Sequence, residues 1–125
     1  MHTIRVLIAD DHPVYRQGLI SIFRNERELT VVGEATDGRQ ALELTRKLKP
    51  DILLLDLVMP QLTGLETLRE LAASSTPVRT ILLTASIEKE QIAQALQLGA
   101  RGILLKEAAT PVLLKGIRTV MDGQF

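Results

Sequence analysis

The 125-residue chain has no cysteine, and its aromatic side chains are limited to one tyrosine and two phenylalanines. The absence of cysteine excludes a disulfide framework, thiol catalysis and cysteine-ligated metal. The scarcity of aromatics leaves Leu, Ile, Val and Ala to build the core of a chain that is 46% hydrophobic, a composition suited to helices layered on a sheet. Neither sign of charge is in excess, since Lys plus Arg number 15 and Asp plus Glu also number 15. A net charge of zero offers no electrostatic footprint for nucleic acid or an acidic membrane, so any control of DNA must act through another domain. No apolar run approaches the roughly 20 residues of a membrane-spanning helix. The stretch Ile4 to Ala9 is too short for a signal-peptide core, and it runs into Asp10 and Asp11 where cleavage would need small neutral residues. The chain reads as soluble, mature and cytoplasmic.

What is present is a fivefold alternation of short apolar runs with longer amphipathic stretches, within a length suited to one domain. The runs Ile4 to Ala9, Thr30 to Glu34, Ile52 to Leu55, Thr80 to Leu83 and Gly102 to Leu105 are predicted strands. Their near-continuous Val, Ile and Leu content suits a parallel sheet covered on both faces. Helical stripes follow at three- and four-residue steps: Val14, Gly18, Leu19, Ile22 and Phe23; then Ala41, Leu44, Thr45 and Leu48. Three more are Leu65, Leu68, Leu71 and Ala72; Ile92, Ala93, Leu96 and Ala100; and Leu113, Ile117, Val120 and Met121. Pro13, Asp37-Gly38, Pro50-Asp51, Gly99 and Thr110-Pro111 mark the boundaries. Right-handed crossovers between such units give an α/β fold, a doubly wound five-stranded parallel sheet of order 2-1-3-4-5 with five helices.

That order makes a functional prediction, because ligands of open α/β sheets bind beyond the carboxyl ends of the strands at the topological switch, here between strands 1 and 3. Asp10 and Asp11 follow the first strand and Asp56 the third. Three converging carboxylates repel, so either some are protonated or a cation sits among them, and the cation is the simpler solution. Oxygen ligands of this kind suit Mg²⁺. The fourth strand end supplies Thr84 followed by the small Ala85, and the fifth supplies Lys106. A nucleophilic carboxylate, a divalent cation, a hydroxyl and an ammonium are the components phosphoryl transfer requires. Taken singly, Asp10-Asp11 read as helix-capping acids, Asp56 as a turn residue, Thr84 as a strand-end hydroxyl and Lys106 as a surface charge. Their delivery by four strand ends to one edge outweighs those readings.

Val6-Leu7-Ile8-Ala9-Asp10-Asp11-His12, Asp51 through Pro60 with Gly64, Leu83-Thr84-Ala85, and Gly99-Ala100-Arg101-Gly102 leading to Leu104-Leu105-Lys106 together resemble response-regulator receiver domains, in particular the NarL/FixJ type. The resemblance spans essentially residues 1–125 and implies a flavodoxin-like receiver fold. It implies that Asp56 is the phosphoacceptor, fed by a phosphohistidine of a sensor histidine kinase. Asp10, Asp11, Asp56 and the Val58 backbone carbonyl would serve Mg²⁺, Thr84 would meet a phosphoryl oxygen, and Lys106 would pair with the phosphorylated carboxylate. Such a domain is a switch that catalyses only its own phosphotransfer and dephosphorylation, typically forming a homodimer on phosphorylation. A linker and a helix-turn-helix output domain are expected beyond Phe125, so DNA would be reached only through that absent domain. A receiver from a longer DNA-binding regulator is therefore favoured over a stand-alone receiver acting through protein contacts.

Ile103 departs from the family pattern, standing where many receivers carry an aromatic that turns inward as the hydroxyl moves. A β-branched aliphatic cannot reproduce that motion, so Thr84 and Ala85 are left as the expected moving parts of the switch. Glu107 replaces the proline common after the lysine, which agrees with the NarL/FixJ resemblance. His2 reads as part of a frayed terminus and His12 as a residue that starts a helix. A phosphohydrolase with an aspartyl-phosphate intermediate is disfavoured because its acids would be two positions apart, whereas Asp10 and Asp11 are adjacent. The first βα turn has no glycine, which argues against a dinucleotide site.

Overall fold

A computed structural model describes residues 3–86 and 88–123; the sequence reading of His2 falls outside them. Five strands, β1 (Ile4–Ala9), β2 (Leu29–Ala35), β3 (Ile52–Asp56), β4 (Arg79–Thr84) and β5 (Gly102–Leu105), form one parallel sheet in the order β2-β1-β3-β4-β5. The helices α1 (Pro13–Arg24), α2 (Gly38–Leu48), α3 (Gly64–Ala73), α4 (Lys89–Gln97) and α5 (Thr110–Met121) fill the crossovers. The doubly wound architecture expected from the alternation is present in full.

The period-two pleat divides the apolar strands between two cores. Leu7, Ala9, Leu53, Leu55 and Leu82 face α2, α3 and α4, where they meet Ala41, Leu42, Leu68, Leu71 and Ala95. Val6, Ile8, Ile52, Leu54, Ile81 and Leu83 face α1 and α5, where they meet Leu19, Ile20, Phe23, Leu113, Ile117 and Val120. Burial on both faces explains why these strands read as continuous apolar runs.

Two helical stripes are rotated from their sequence assignments. Val14 is 87% exposed, and the buried residues of α1 are Leu19, Ile20 and Phe23. Apolar residues occupy two phases of this helix, and the bulk of Phe23 selects the one that seats it against the sheet. In α4, Ala93 and Leu96 face outward while Ala95 is fully buried. The small Ala95 side chain lets the helix approach the sheet closely, which larger residues at the same contact would prevent. In α3, Ala72 is exposed whereas Leu68 and Leu71 are buried.

Strand β2 extends to the buried Leu29 and Ala35, while β3 and β4 extend because backbone pairing continues through polar residues. Asp56 pairs with Leu83, and Thr84 pairs with Leu105. Two candidate site residues are thus held by the sheet ladder itself. The segment after β3 returns at once into α3: Gly64 N–H donates to the Leu57 carbonyl at 3.0 Å, and Thr63 closes a capping box with Glu66. A Cβ on Gly64 would lie 2.5 Å from the Asp56 carbonyl oxygen and 2.7 Å from Leu57 Cα, so the close approach of helix to strand end requires glycine.

Gly64→Ala is expected to destabilise the domain by about 1–3 kcal/mol through overpacking against backbone. Gly18→Ala, in mid-helix with no atom within 4 Å of the added Cβ, is expected to stabilise it by roughly 0.5–1 kcal/mol. Urea unfolding measures both, and shifts of the same sign would contradict this account.

Candidate functional site at the carboxyl edge of the sheet

Ala9 is paired with Leu55, so the residues that follow them, Asp10 and Asp56, emerge side by side where the chain switches direction across the sheet. Asp10 is fully buried and Asp56 is 3% exposed. Between them sits the Lys106 ammonium, which reaches in from the end of β5. Its Nζ is 2.7 Å from Asp10 Oδ2 and donates to Asp56 Oδ2 at 3.0 Å. Backbone bonds fix these anchors: Asp10 N–H donates to the Ala35 carbonyl, and Lys106 N–H donates to the Thr84 carbonyl.

Two residues that sequence reasoning left outside the site belong to its walls. His12 does begin α1, as its N-cap, but its imidazole, though largely exposed, also meets the carboxylates. His12 Nδ1 lies 2.9 Å from Asp10 Oδ1, 3.3 Å from Asp11 Oδ1 and 3.1 Å from Lys106 Nζ. One ring nitrogen can donate to the carboxylate or accept from the ammonium, but not both. Tyr15, three residues on, places its ring centroid 4.8 Å from Lys106 Nζ. The position of His12 two residues past Asp10 was a usable signal. Tyr15 gave none, because its involvement depends on the rotation of α1 that Val14 had obscured. Arg16 also reaches this edge, donating to the Asp10 carbonyl at 2.7 Å and to Glu34 at 2.8 Å.

Burial pushes the Asp56 carboxyl above its ordinary value; the Lys106 hydrogen bond works against that rise and the Asp10 charge adds to it. Burial alone would lower the Lys106 ammonium, yet its pairing with Asp10 and Asp56 carries it upward. Tyr15 is pushed up to about 12 by burial and by the charges of Asp10 and Asp56.

Asp10, Asp11, His12 and Asp56 each offer a ligand atom, all within 4.8 Å of one another. Asp10 Oδ2 and Asp11 Oδ1 are buried oxygens that accept no directed hydrogen bond, even though cationic or polar nitrogens stand near both. Hard anionic oxygens left in this condition are a donor set for a hard cation, so the residues present fit a metal ion.

The remaining sequence candidates lie on the rim. Thr84 is 6% exposed at the end of β4, but its hydroxyl donates to the Ser86 carbonyl at 2.6 Å and so is engaged within its own loop. Ala85 is exposed. Val58 N–H donates to Asp56 Oδ1 at 3.3 Å, while its side chain is 73% exposed. Ile103 is half-buried and packs against the core beneath α2, α3 and α4.

A carboxyl whose folded value is raised binds its proton more tightly in the folded state. Asp56 therefore makes stability fall as pH rises from the ordinary carboxylate range through its raised folded value. Asp56→Asn is expected to stabilise the metal-free protein at pH 7 on the order of 1 kcal/mol, with the gain shrinking as pH is lowered. Unfolding curves for the two proteins that run parallel across pH would refute this.

The response regulator receiver domain family matches residues 6–118. The nitrate/nitrite response regulator NarL of Escherichia coli (strain K12) is 40% identical over 120 residues, covering 96% of this chain and 56% of that protein. The transcriptional regulatory protein LnrK of Bacillus subtilis (strain 168) is 36% identical, covering 96% of this chain and 54% of that protein. The chain thus spans little more than half the length of these relatives. Among solved structures, the receiver domain of the putative response regulator NarL from Mycobacterium tuberculosis superposes with a TM-score of 0.94 at 35% identity, covering 99% of this chain and 100% of that one. The response regulator domain of Thermotoga maritima CheB gives 0.89 at 32% identity, covering 97% and 98%. With the sheet order, the acidic pocket and these likenesses in agreement, the chain belongs to the response regulator receiver domains and is akin to those of NarL-type regulators.

Proposed function

We propose that Asp56 accepts a phosphoryl group from a phosphohistidine of a sensor histidine kinase. The observation that carries this reading is the buried Asp56 carboxylate, set beside Asp10 and the Lys106 ammonium at the switch point of the sheet. An Asp56 oxygen forms the new bond to phosphorus while the bond from phosphorus to the imidazole nitrogen breaks, and the departing imidazole keeps that electron pair and takes up a proton. The product is an acyl phosphate on Asp56. Lys106, already 3.0 Å from Asp56 Oδ2, holds the carboxylate in place and offsets the charge that accumulates there.

Asp10, Asp11, Asp56 and the Val58 carbonyl would hold Mg²⁺. When bound, the ion neutralises part of the charge on the transferred oxygens. The domain acts as a cytoplasmic signalling switch, with turnover confined to its own phosphorylation and dephosphorylation. Its output is a shift between two conformations that favours pairing with a second copy. Control of transcription runs through a DNA-binding domain outside these residues, a reading supported by LnrK being a transcriptional regulatory protein nearly twice as long as its matched part.

The Thr84 hydroxyl must leave the Ser86 carbonyl before it can reach a phosphoryl oxygen, and Ser86 N–H also points back to it at 3.3 Å. Recruitment of Thr84 therefore drags the Ala85-Ser86 turn that leads to the N-cap of α4, Glu88. Ile103, with one preferred rotamer and no hydroxyl, contributes packing without motion.

Incubation with acetyl phosphate and Mg²⁺ followed by intact mass measurement is expected to show one added phosphoryl group, and none with Asp56→Ala or without metal. Equal uptake by Asp56→Ala would overturn the assignment. With beryllofluoride and Mg²⁺, the backbone amide resonances of Ala85, Ser86 and Glu88 are expected to move, and an unmoved segment would rule out the Thr84 route.

A further inference from the structure

We infer that Tyr15 is a positioning residue for Lys106, its ring forming the wall that keeps the ammonium aimed at the carboxylate pair. This inference rests on the proposed role of Lys106 at Asp56, but its central contact is open to test by itself.

The Lys106 ammonium has three donors on a flexible four-carbon stem, and only 16% of the side chain is exposed. It pairs with the charge of Asp10 Oδ2 at 2.7 Å, and its hydrogen-bond partners are Asp56 Oδ2 at 3.0 Å and His12 Nδ1 at 3.1 Å. The Tyr15 ring, with its centroid at 4.8 Å, closes a further side. A cation at that distance from an aromatic ring is within the range of cation–π attraction.

The nature of this contact suits a lysine that must adjust. A hydrogen-bond acceptor in place of the ring would compete with Asp56 for a donor. A ring face attracts the charge without claiming a donor direction, so the ammonium can swing from Asp10 toward Asp56 as negative charge grows there, without losing the contact. The wall is also firm. Tyr15 is half-buried and packs against the core cluster of Leu19, Phe23 and Ile117, and it lies in the first turn of α1, which Pro13 pre-sets. In a chain with three aromatic residues, one borders the Lys106 ammonium.

Two substitutions separate ring from bulk. Tyr15→Phe keeps the aromatic face and removes the hydroxyl, whereas Tyr15→Leu keeps apolar packing and removes the face. In the metal-free wild-type protein, NMR of the Lys106 Cε methylene is expected to show an upfield ring-current displacement, retained in Tyr15→Phe and lost in Tyr15→Leu. Phosphorylation by acetyl phosphate with Mg²⁺ is expected to slow about tenfold in Tyr15→Leu and less than threefold in Tyr15→Phe. Backbone amide spectra establish that both variants are folded. A Lys106 resonance indifferent to loss of the ring disproves the contact. A Tyr15→Leu rate equal to wild type, or a Tyr15→Phe rate as slow as that of Tyr15→Leu, disproves the positioning role. Neither result touches the phosphoacceptor assignment, which stands or falls with Asp56→Ala.

Discussion

Everything at the carboxyl edge of this sheet depends on one ammonium placed between two buried carboxylates. Two carboxylates buried side by side each carry a cost of desolvation and mutual repulsion that a cation between them offsets. Lys106 supplies that cation at 2.7 and 3.0 Å. Its compensation is deliberately partial in effect: three carboxylates face one ammonium, and the Asp56 carboxyl remains above its ordinary value. On the proposed function, the anionic charge left over is what a bound metal ion would complement. Holding these carboxylates out of water costs stability that must come from elsewhere.

The cores on the two faces of the sheet provide it. Val6 to Ala9 and Ile52 to Leu55 are wholly buried, so the strands that end in Asp10 and Asp56 are held from both sides by apolar packing. Parallel pairing brings the two strand ends level. Gly64 then allows α3 to start directly against the Asp56 and Leu57 backbone, which removes slack from the loop that carries Val58. Rigid strand ends matter here because a lysine can pair with two carboxylates only if their separation is fixed before it arrives.

The sheet order and the convergence of Asp10, Asp11, Asp56, Thr84 and Lys106 on one edge were legible in the sequence, because both follow from alternation and chain direction. Strand-end residues inherit their position from topology, and topology is read from coarse pattern. What could not be read was rotation. Val14, Leu19 and Phe23 fit one helical stripe, yet the structure buries Leu19 and Phe23 with Ile20 and leaves Val14 exposed. The same ambiguity hid Tyr15, whose contact with Lys106 joins residues 91 positions apart and exists only once α1 has taken its phase. His12 was legible by half: its place at the start of α1 follows from Pro13, but the direction of its imidazole is set by carboxylates on other elements.

On the proposed function, the step from phosphorylation to output is governed by what Thr84 must give up. Its hydroxyl both donates to the Ser86 carbonyl and accepts from the Ser86 N–H, a closed local arrangement with no unmet hydrogen bond. Such a group moves only for a partner that binds it better, and a phosphoryl oxygen carrying negative charge is a stronger acceptor than a neutral carbonyl. Breaking the local arrangement releases the Ser86 backbone at the same moment, so the displacement of the hydroxyl and the displacement of the turn are one event. Ile103 sits half-buried against the core and has no hydroxyl with which to exchange a hydrogen bond. On that reading, the switch runs through a hydrogen-bond exchange in the turn after β4.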